Sequence, residues 1–186
     1  MKRLFDLFSS VTLTIALIIP MILIAILTKL TSRGPIIFWS DRVGINNKVF
    51  QMPKFRTMII ETPSVASHLL KDPNSYLSPI GGFLRSSSLD EIPQLISVLR
   101  GDMSIVGPRP ALFNQDNLIA LRSEKGVDKL LPGITGWAQV NGRDKLTISD
   151  KVEFDEEYML NQSFWFDIKI LRMTFLKVIK RIGVNH

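Results

Sequence analysis

The chain contains no cysteine, and of its 186 residues only two are histidine, His68 and His186. The first absence removes a disulfide framework, a thiol nucleophile, an iron–sulfur cluster and any Cys-based zinc site. The second leaves too few imidazoles for a multi-histidine metal centre or a Ser-His-Asp relay. His68 itself stands in a polar stretch and is read as a surface residue. No internal repeat and no low-complexity tract is present. Chemistry must therefore rest on carboxylates, lysine, arginine or hydroxyls.

What is present is an ordinary globular balance, 46% hydrophobic and 22% charged, which excludes a disordered or collagen-like chain. Lys and Arg number 23 against 17 Asp and Glu, a net +6, with a sequence pI near 9.7. A mean hydropathy of +0.19 alongside that basic charge is unusual. Its source is the start of the chain, where the 22 residues between Asp6 and Lys29 carry no charge. As a helix they would reach roughly 33 Å at 1.5 Å per residue, close to the ~30 Å hydrocarbon layer of a bilayer. A cleaved leader is a poor fit, since no small-x-small site ends the run.

Both ends of the run are basic, Lys2-Arg3 before it and Lys29 with Arg33 after it, so the charge rule gives no orientation. Pro20 inside the run predicts a kink. Two architectures satisfy this pattern. One is a single-pass helix with a proline kink; the other is a re-entrant helix that enters and leaves the same leaflet.

Beyond residue 33 the pattern changes. Ile36 to Met52 reads as two β-rich runs around a Gly/Asn turn, a small hairpin. Glu61 to Ser78 reads as a loop with one helical turn, Phe83 to Arg100 as a helix in two pieces broken at Pro93, and Pro132 to Arg143 as a Gly-rich loop. Helices are expected over Asn114 to Glu124, Ser149 to Asn161 and Ser163 to Ile182. On the last of these, Ile168, Leu171, Phe175, Val178, Ile179 and Ile182 share one side, and Lys169, Arg172, Lys177, Lys180 and Arg181 the other. A basic amphipathic helix of this kind suits an anionic membrane surface, and it suits equally a helix packed on a core with solvated lysines. The fold expected is α+β and mostly helical: a membrane-inserted helix over 1–33, and a membrane-associated domain over 34–186 with several amphipathic interfacial helices.

The densest polar constellation is Arg85-Ser86-Ser87-Ser88-Leu89-Asp90-Glu91-Ile92-Pro93-Gln94. Adjacent carboxylates just before a proline suggest a helix start, with Ser88-x-x-Glu91 as a capping box. Cations in turn-rich segments accompany the pair: Lys54-Phe55-Arg56, Arg85, Arg100 and Gly107-Pro108-Arg109-Pro110. Arginine forks grip phosphate oxygens, a carboxylate pair can hold Mg²⁺ against a pyrophosphate, and a carboxylate can attack phosphorus. Phosphoryl chemistry at a membrane is the reading. Trp137, beside the Gly-rich stretch, is expected to pack on the core.

At these residues the chain resembles the bacterial sugar transferases, the monotopic polyprenol-phosphate phosphoglycosyl transferases, in their short catalytic-unit form. The resemblance runs from Lys2-Arg3-x-x-Asp6 through Lys54-Phe55-Arg56-Thr57-Met58, Ser88 to Leu95 and Gly101-Asp102-Met103-Ser104. It continues through Gly107-Pro108-Arg109-Pro110 to Gln139-Val140-Asn141-Gly142-Arg143. It implies transfer of a sugar-1-phosphate from a UDP-sugar, with an N-acetylated or 6-deoxy amino sugar as the guess, to polyprenol phosphate. UMP is the by-product of this first membrane step of glycoconjugate biosynthesis. Asp90 would be the nucleophile, with Glu91 beside it. Lys54, Arg56, Arg85, Arg109 and Arg143 would face phosphate and nucleotide, and Asp90, Glu91 and Asp167 would hold Mg²⁺. It also favours the re-entrant helix, in the bacterial inner membrane with the catalytic domain on the cytoplasmic face. Where the family usually has Ser-Pro at the kink, this chain has Ile19-Pro20. The alternative is a non-catalytic membrane module that binds anionic lipid or a partner glycosyltransferase. Nucleic acid is not an expected partner, because the basic residues follow the membrane-facing segments.

Overall fold

The computed structural model describes residues 1–62, 72–142 and 145–180, so His68, Arg143 and Arg181 lie outside the described residues. Two helices open the chain, α1 (Lys2–Ala16) and α2 (Ile18–Thr31), and they meet at Leu17 with a bend of 61°. The break falls one turn ahead of Pro20, not at it. A proline ring occupies the space of the carbonyl four residues back and offers it no N–H. That carbonyl belongs to Ala16, the last residue of α1. Pro20 itself sits in the first turn of α2, where a missing donor leaves nothing unpaired. No single helix among the described residues is long and apolar enough to cross a membrane; the bent pair meets that test only when taken together.

Helix α1 is built inside out for a water-soluble protein. Leu4 and Phe8 are 72% and 74% exposed, whereas Asp6 and Ser10 are buried. Asp6 is buried because it accepts from the Ser104 hydroxyl at 2.9 Å and the Ile105 backbone N–H at 3.1 Å. Its neighbours are tied down too. Lys2 donates to Asp167 at 2.6 Å and to the Tyr158 hydroxyl at 3.1 Å, and Arg3 to the carbonyls of Val98 and Leu99. Those carbonyls end α4 (Leu95–Arg100), where a cation complements the helix dipole.

The expected hairpin is present. Strand β1 (Ile37–Val43) pairs antiparallel with β2 (Val49–Phe55), Arg42 opposite Phe50 and Phe38 opposite Lys54. Asn46 and Asn47 take the left-handed conformation that the turn needs. Strand β4 (Ala111–Leu112) joins the free edge of β1. A second, two-stranded parallel sheet is formed by β3 (Ser104–Val106) and β5 (Gly133–Thr135). Strand β5 and the short helix α6 (Trp137–Asn141) occupy the stretch read as a Gly-rich loop. The glycines there serve close approach: a Cβ on Gly136 would overlap the Gly107 carbonyl oxygen.

Helix α3 (Gly81–Ser86) stops at Ser87-Ser88, and Ser88 adopts φ 56. A 3-10 turn over Leu89–Gln94 then carries Pro93 within it, so the break lies at the serines and not at the proline. The Ser88–Glu91 capping box does not form; the Ser88 side chain makes no cap bond. A positive φ at Ser88 points its hydroxyl away from the turn's first N–H groups, and Glu91 is engaged elsewhere. A capping box does form at α7 (Ile148–Leu160), between Thr147 and Asp150. Helix α5 (Asp116–Glu124) precedes it, and α8 (Phe164–Lys180) ends the described chain.

Met52, Leu95, Val98, Met103, Val140, Tyr158 and Ile170 meet in the main core. On α8 the core anchors are Asp167 and Ile170, outside the expected apolar stripe, while the stripe residues Phe175 and Val178 are exposed. The stripe is therefore only partly packed on the domain: Ile168 and Leu171 are half-buried.

Candidate active site

Strand alternation begins the site. Cross-strand partners share a face, so Arg42 and Lys54 stand on the same side of the hairpin as the buried Ser40 and Met52. That side packs on the 3-10 turn carrying Asp90 and Glu91. Strand β3 leads through Gly107-Pro108 to Arg109 on the same cluster. A hairpin, a tight turn and a strand end thus converge on one carboxylate pair.

The two carboxylates have different surroundings. Glu91 Oε1 accepts from Lys54 Nζ at 2.8 Å and Arg109 Nη2 at 2.9 Å, with its side chain only 13% exposed. Burial opposes its charge, but the Arg109 and Lys54 cations overcome that and hold its carboxyl well below the usual range. The two cations favour its ionised form. Asp90 is also buried, at 8% exposure, yet no hydrogen bond to its carboxylate is recorded among the described residues. Burial pushes its carboxyl up, Lys54 pulls it down, and neighbouring Glu91 pushes it up again, with a net rise. One carboxylate is clamped and the other has oxygens to spare.

Cations surround them. Lys54 is lowered by burial, Arg42 falls to about 10 through burial and the nearby Arg109, and Arg85 is lowered by burial. Arg85 Nε donates to Thr57 Oγ1 at 3.0 Å, which steers its guanidinium. Arg42 donates to Ser40 Oγ and the Pro110 carbonyl. Arg109 is steadied from behind: Arg122 donates to its carbonyl at 2.8 Å, and Arg122 in turn grips the buried Asp155 with Nε and Nη2. Arg42, Arg85, Arg109 and Lys54 against Asp90 and Glu91 give four positive charges to two negative, a surplus suited to an anionic substrate.

Of the predicted residues, Lys54, Arg85 and Arg109 are brought to the pair, and two others are not. Arg56 is 6% exposed and turned to the end of α2, where Nη2 donates to both the carbonyl and the hydroxyl of Ser32 at 3.0 Å. Strand β2 ends at Phe55, so alternation no longer directs Arg56 to the site, and the helix C-terminus captures it. Asp167 is held by Lys2 and the Tyr158 hydroxyl and is absent from the charges facing Asp90 or Glu91. It secures α1 to α8. Arg143 falls outside the described residues. Trp137 packs as expected, edge-on to Phe154 and Phe166, with its N–H donating to Glu157. Reasoning from sequence missed Arg42, although alternation with Lys54 across the hairpin would have found it. It also missed Arg122 and Asp155, which no local pattern marks.

A buried carboxylate that accepts no hydrogen bond among the described residues, set beside a clamped one inside a cationic ring, suits an anionic ligand. The chain belongs to the bacterial sugar transferase family, whose model matches residues 1–181. Relatives include the uncharacterized sugar transferase EpsL of Bacillus subtilis, 39% identical over all of this chain and 91% of the relative. A UDP-glucose:undecaprenyl-phosphate glucose-1-phosphate transferase of Escherichia coli is 44% identical over 89% of this chain and 38% of its own length. An undecaprenyl-phosphate galactose phosphotransferase of Salmonella typhimurium is 37% identical over 98% of this chain and 41% of its own. The chain thus spans under half the length of the latter two.

Proposed function

We propose that this chain is a phosphoglycosyl transferase, moving a sugar-1-phosphate from a UDP-sugar to polyprenol phosphate (undecaprenyl phosphate) and releasing UMP. The observation that carries the reading is the contrast within the carboxylate pair: Glu91 is bound by two cations, while the Asp90 carboxylate accepts no hydrogen bond among the described residues. An Asp90 oxygen attacks the β-phosphorus. The Oδ–P bond forms, the P–O bond to UMP breaks, and UMP leaves with that electron pair. An oxygen of polyprenol phosphate then attacks the same phosphorus, the acyl-phosphate bond breaks, and Asp90 returns as carboxylate. Burial raises the free energy of the ionised Asp90 and so makes it the better nucleophile. Lys54, Arg85 and Arg109 neutralise the phosphoryl oxygens as charge builds on them. Arg42 reinforces the same field.

A divalent cation fits this donor set. Mg²⁺ takes hard oxygens from one or two carboxylates and completes its shell with substrate phosphate and water. Asp90 and the second oxygen of Glu91 would hold it; no group of three acidic or histidine side chains among the described residues offers an all-protein site. Bound there, it would neutralise charge on the diphosphate.

In this reading the chain works at the bacterial inner membrane, with residues 34–186 on the cytoplasmic face and 1–33 inserted as a re-entrant helix. The 61° bend, the basic flanks and the outward apolar face of α1 and α2 support it, as do Trp165 and Phe175 on α8, 77% and 66% exposed. A lipid-binding module would have no use for Asp90 and Glu91. The test is a UMP-release screen in detergent with undecaprenyl phosphate, covering UDP-glucose, UDP-galactose, N-acetylated and 6-deoxy amino sugar donors. Release with one donor, dependent on Asp90, supports the reading; no release with any donor refutes it.

A further inference from the structure

Next to the carboxylate pair lies a groove of about 320 Å³. Its walls come from separate parts of the chain: Leu13 and Leu17 at the bend between α1 and α2, Ile134 on β5, and Leu171 and Val178 on α8. Among the described residues three charged side chains border it, Glu91, Arg109 and Lys177. A hydrogen bond of 2.7 Å between Thr135 and Thr174 ties β5 to α8 beneath it. Positions 171, 174 and 178 lie on one face of α8, and Lys177 lies beside them, so this lysine borders the groove and is not on the outward basic face.

Lys177 is half-buried, and no ion pair is recorded for it among the described residues. Among the described residues Glu91 is the groove's one acidic group, and it is already shared by Lys54 and Arg109. A cation in an apolar trough, ion-paired to no described acid, complements an anionic head on a hydrocarbon chain. We infer that this groove seats the acceptor, with Lys177 positioning the prenyl phosphate and Leu13, Leu17, Leu171 and Val178 lining the path of its first isoprene units. The inference rests on the proposed transferase activity and adds where, and by which residue, the acceptor is held. The occupant is an amphiphile with a phosphate head, because Lys177 supplies the cation and the exposed Leu13 of α1, with Leu17 at the break, opens the groove toward the apolar helices.

The donor half-reaction should not depend on Lys177 or Val178, and that separates the two ideas. With the full chain in detergent, Lys177→Gln should raise KM for undecaprenyl phosphate about tenfold, the scale of one charge-assisted contact, while KM for the UDP-sugar stays unchanged. Lys177→Arg should restore most of the loss. Val178→Trp, at a half-exposed site, should narrow the groove and raise the acceptor KM without altering charge. UMP released before acceptor is added should keep its wild-type amplitude in all three. Prenyl phosphate should compete with the acceptor, whereas phosphatidic acid at the same mole fraction should not. The inference is overturned if Lys177→Gln and Val178→Trp leave the acceptor KM within about twofold. It is also overturned if they impair both half-reactions equally, or if phosphatidic acid competes as well as prenyl phosphate. A wild-type chain that releases no UMP from any donor would instead remove the transferase reading beneath it.

Discussion

Replacing Asp6 by alanine tests how the apolar helices are held to the catalytic part of the chain. Asp6 is 1% exposed and accepts from Ser104 Oγ at 2.9 Å and Ile105 N at 3.1 Å. The alanine variant loses both bonds and leaves the Ile105 N–H buried without an acceptor. Hydrogen bonds to a charged group contribute about 1.5–3 kcal/mol each, so the loss should be roughly 3–6 kcal/mol. For a chain of this size each kcal/mol moves Tm by about 2–4 °C, which makes a fall on the order of 10 °C the expected result. Asp6→Asn keeps one oxygen for Ile105 and an amide for Ser104, and should lose about half as much. The assay is thermal unfolding in detergent, followed by tryptophan fluorescence at a matched scan rate. Activity should fall as well, because β3 leads directly to Arg109, whose position opposite Glu91 depends on that strand. A Tm change below about 2 °C for Asp6→Ala would refute the argument and leave apolar packing alone to dock α1.

The remaining predictions concern the site and the membrane. Asp90 must be ionised to attack and its carboxyl is raised, so the acid limb of kcat/KM for the UDP-sugar should lie at higher pH than an unperturbed Asp would set it. Lys54→Gln removes a charge that lowers Asp90 and should move the limb to higher pH; Glu91→Gln removes one that raises it and should move the limb to lower pH. Shifts of the same sign in both variants would assign the limb to another group. In this cysteine-free chain, single cysteines placed before Lys2 and after Lys29 should label from the same side of the membrane. Pro20→Ala, which restores an N–H to the Ala16 carbonyl, should convert part of the population to opposite-side labelling. Chelation by EDTA should stop turnover and leave Tm unchanged, since no described acidic cluster is built around a structural ion.

Much of the frame was legible because it rests on local chemistry. The hairpin followed from two β-rich runs around asparagines that tolerate positive φ, and the amphipathic helices from their periodicity. Asp90 and Glu91 stood out because paired carboxylates in a cation-rich, Pro-punctuated segment are hard to explain by helix capping alone. What was not legible depended on direction in space. Arg56 and Lys54 sit two residues apart in one motif, yet the strand ends between them and sends Arg56 to Ser32. Asp167 looks like a metal ligand until Lys2, 165 positions away, is found on it. Strands β3 and β5 are three residues each and lie among glycines and prolines, too short for a period to register. Pro20 announced a kink but not its place, because a proline disrupts the carbonyl four residues before it.

The central claim is that Asp90 attacks phosphorus. The direct measurement incubates the chain with Mg²⁺ and a UDP-sugar radiolabelled in the sugar, without polyprenol phosphate, and follows both UMP and protein-bound label. The account predicts UMP release together with label on the protein, lost on hydroxylamine treatment as an acyl phosphate would be. Both should be abolished in Asp90→Asn, which keeps the size of the side chain and discards the nucleophile. A fully active Asp90→Asn chain, or product formed only when both substrates are present with no earlier UMP, would contradict it and assign the attack to the lipid phosphate itself.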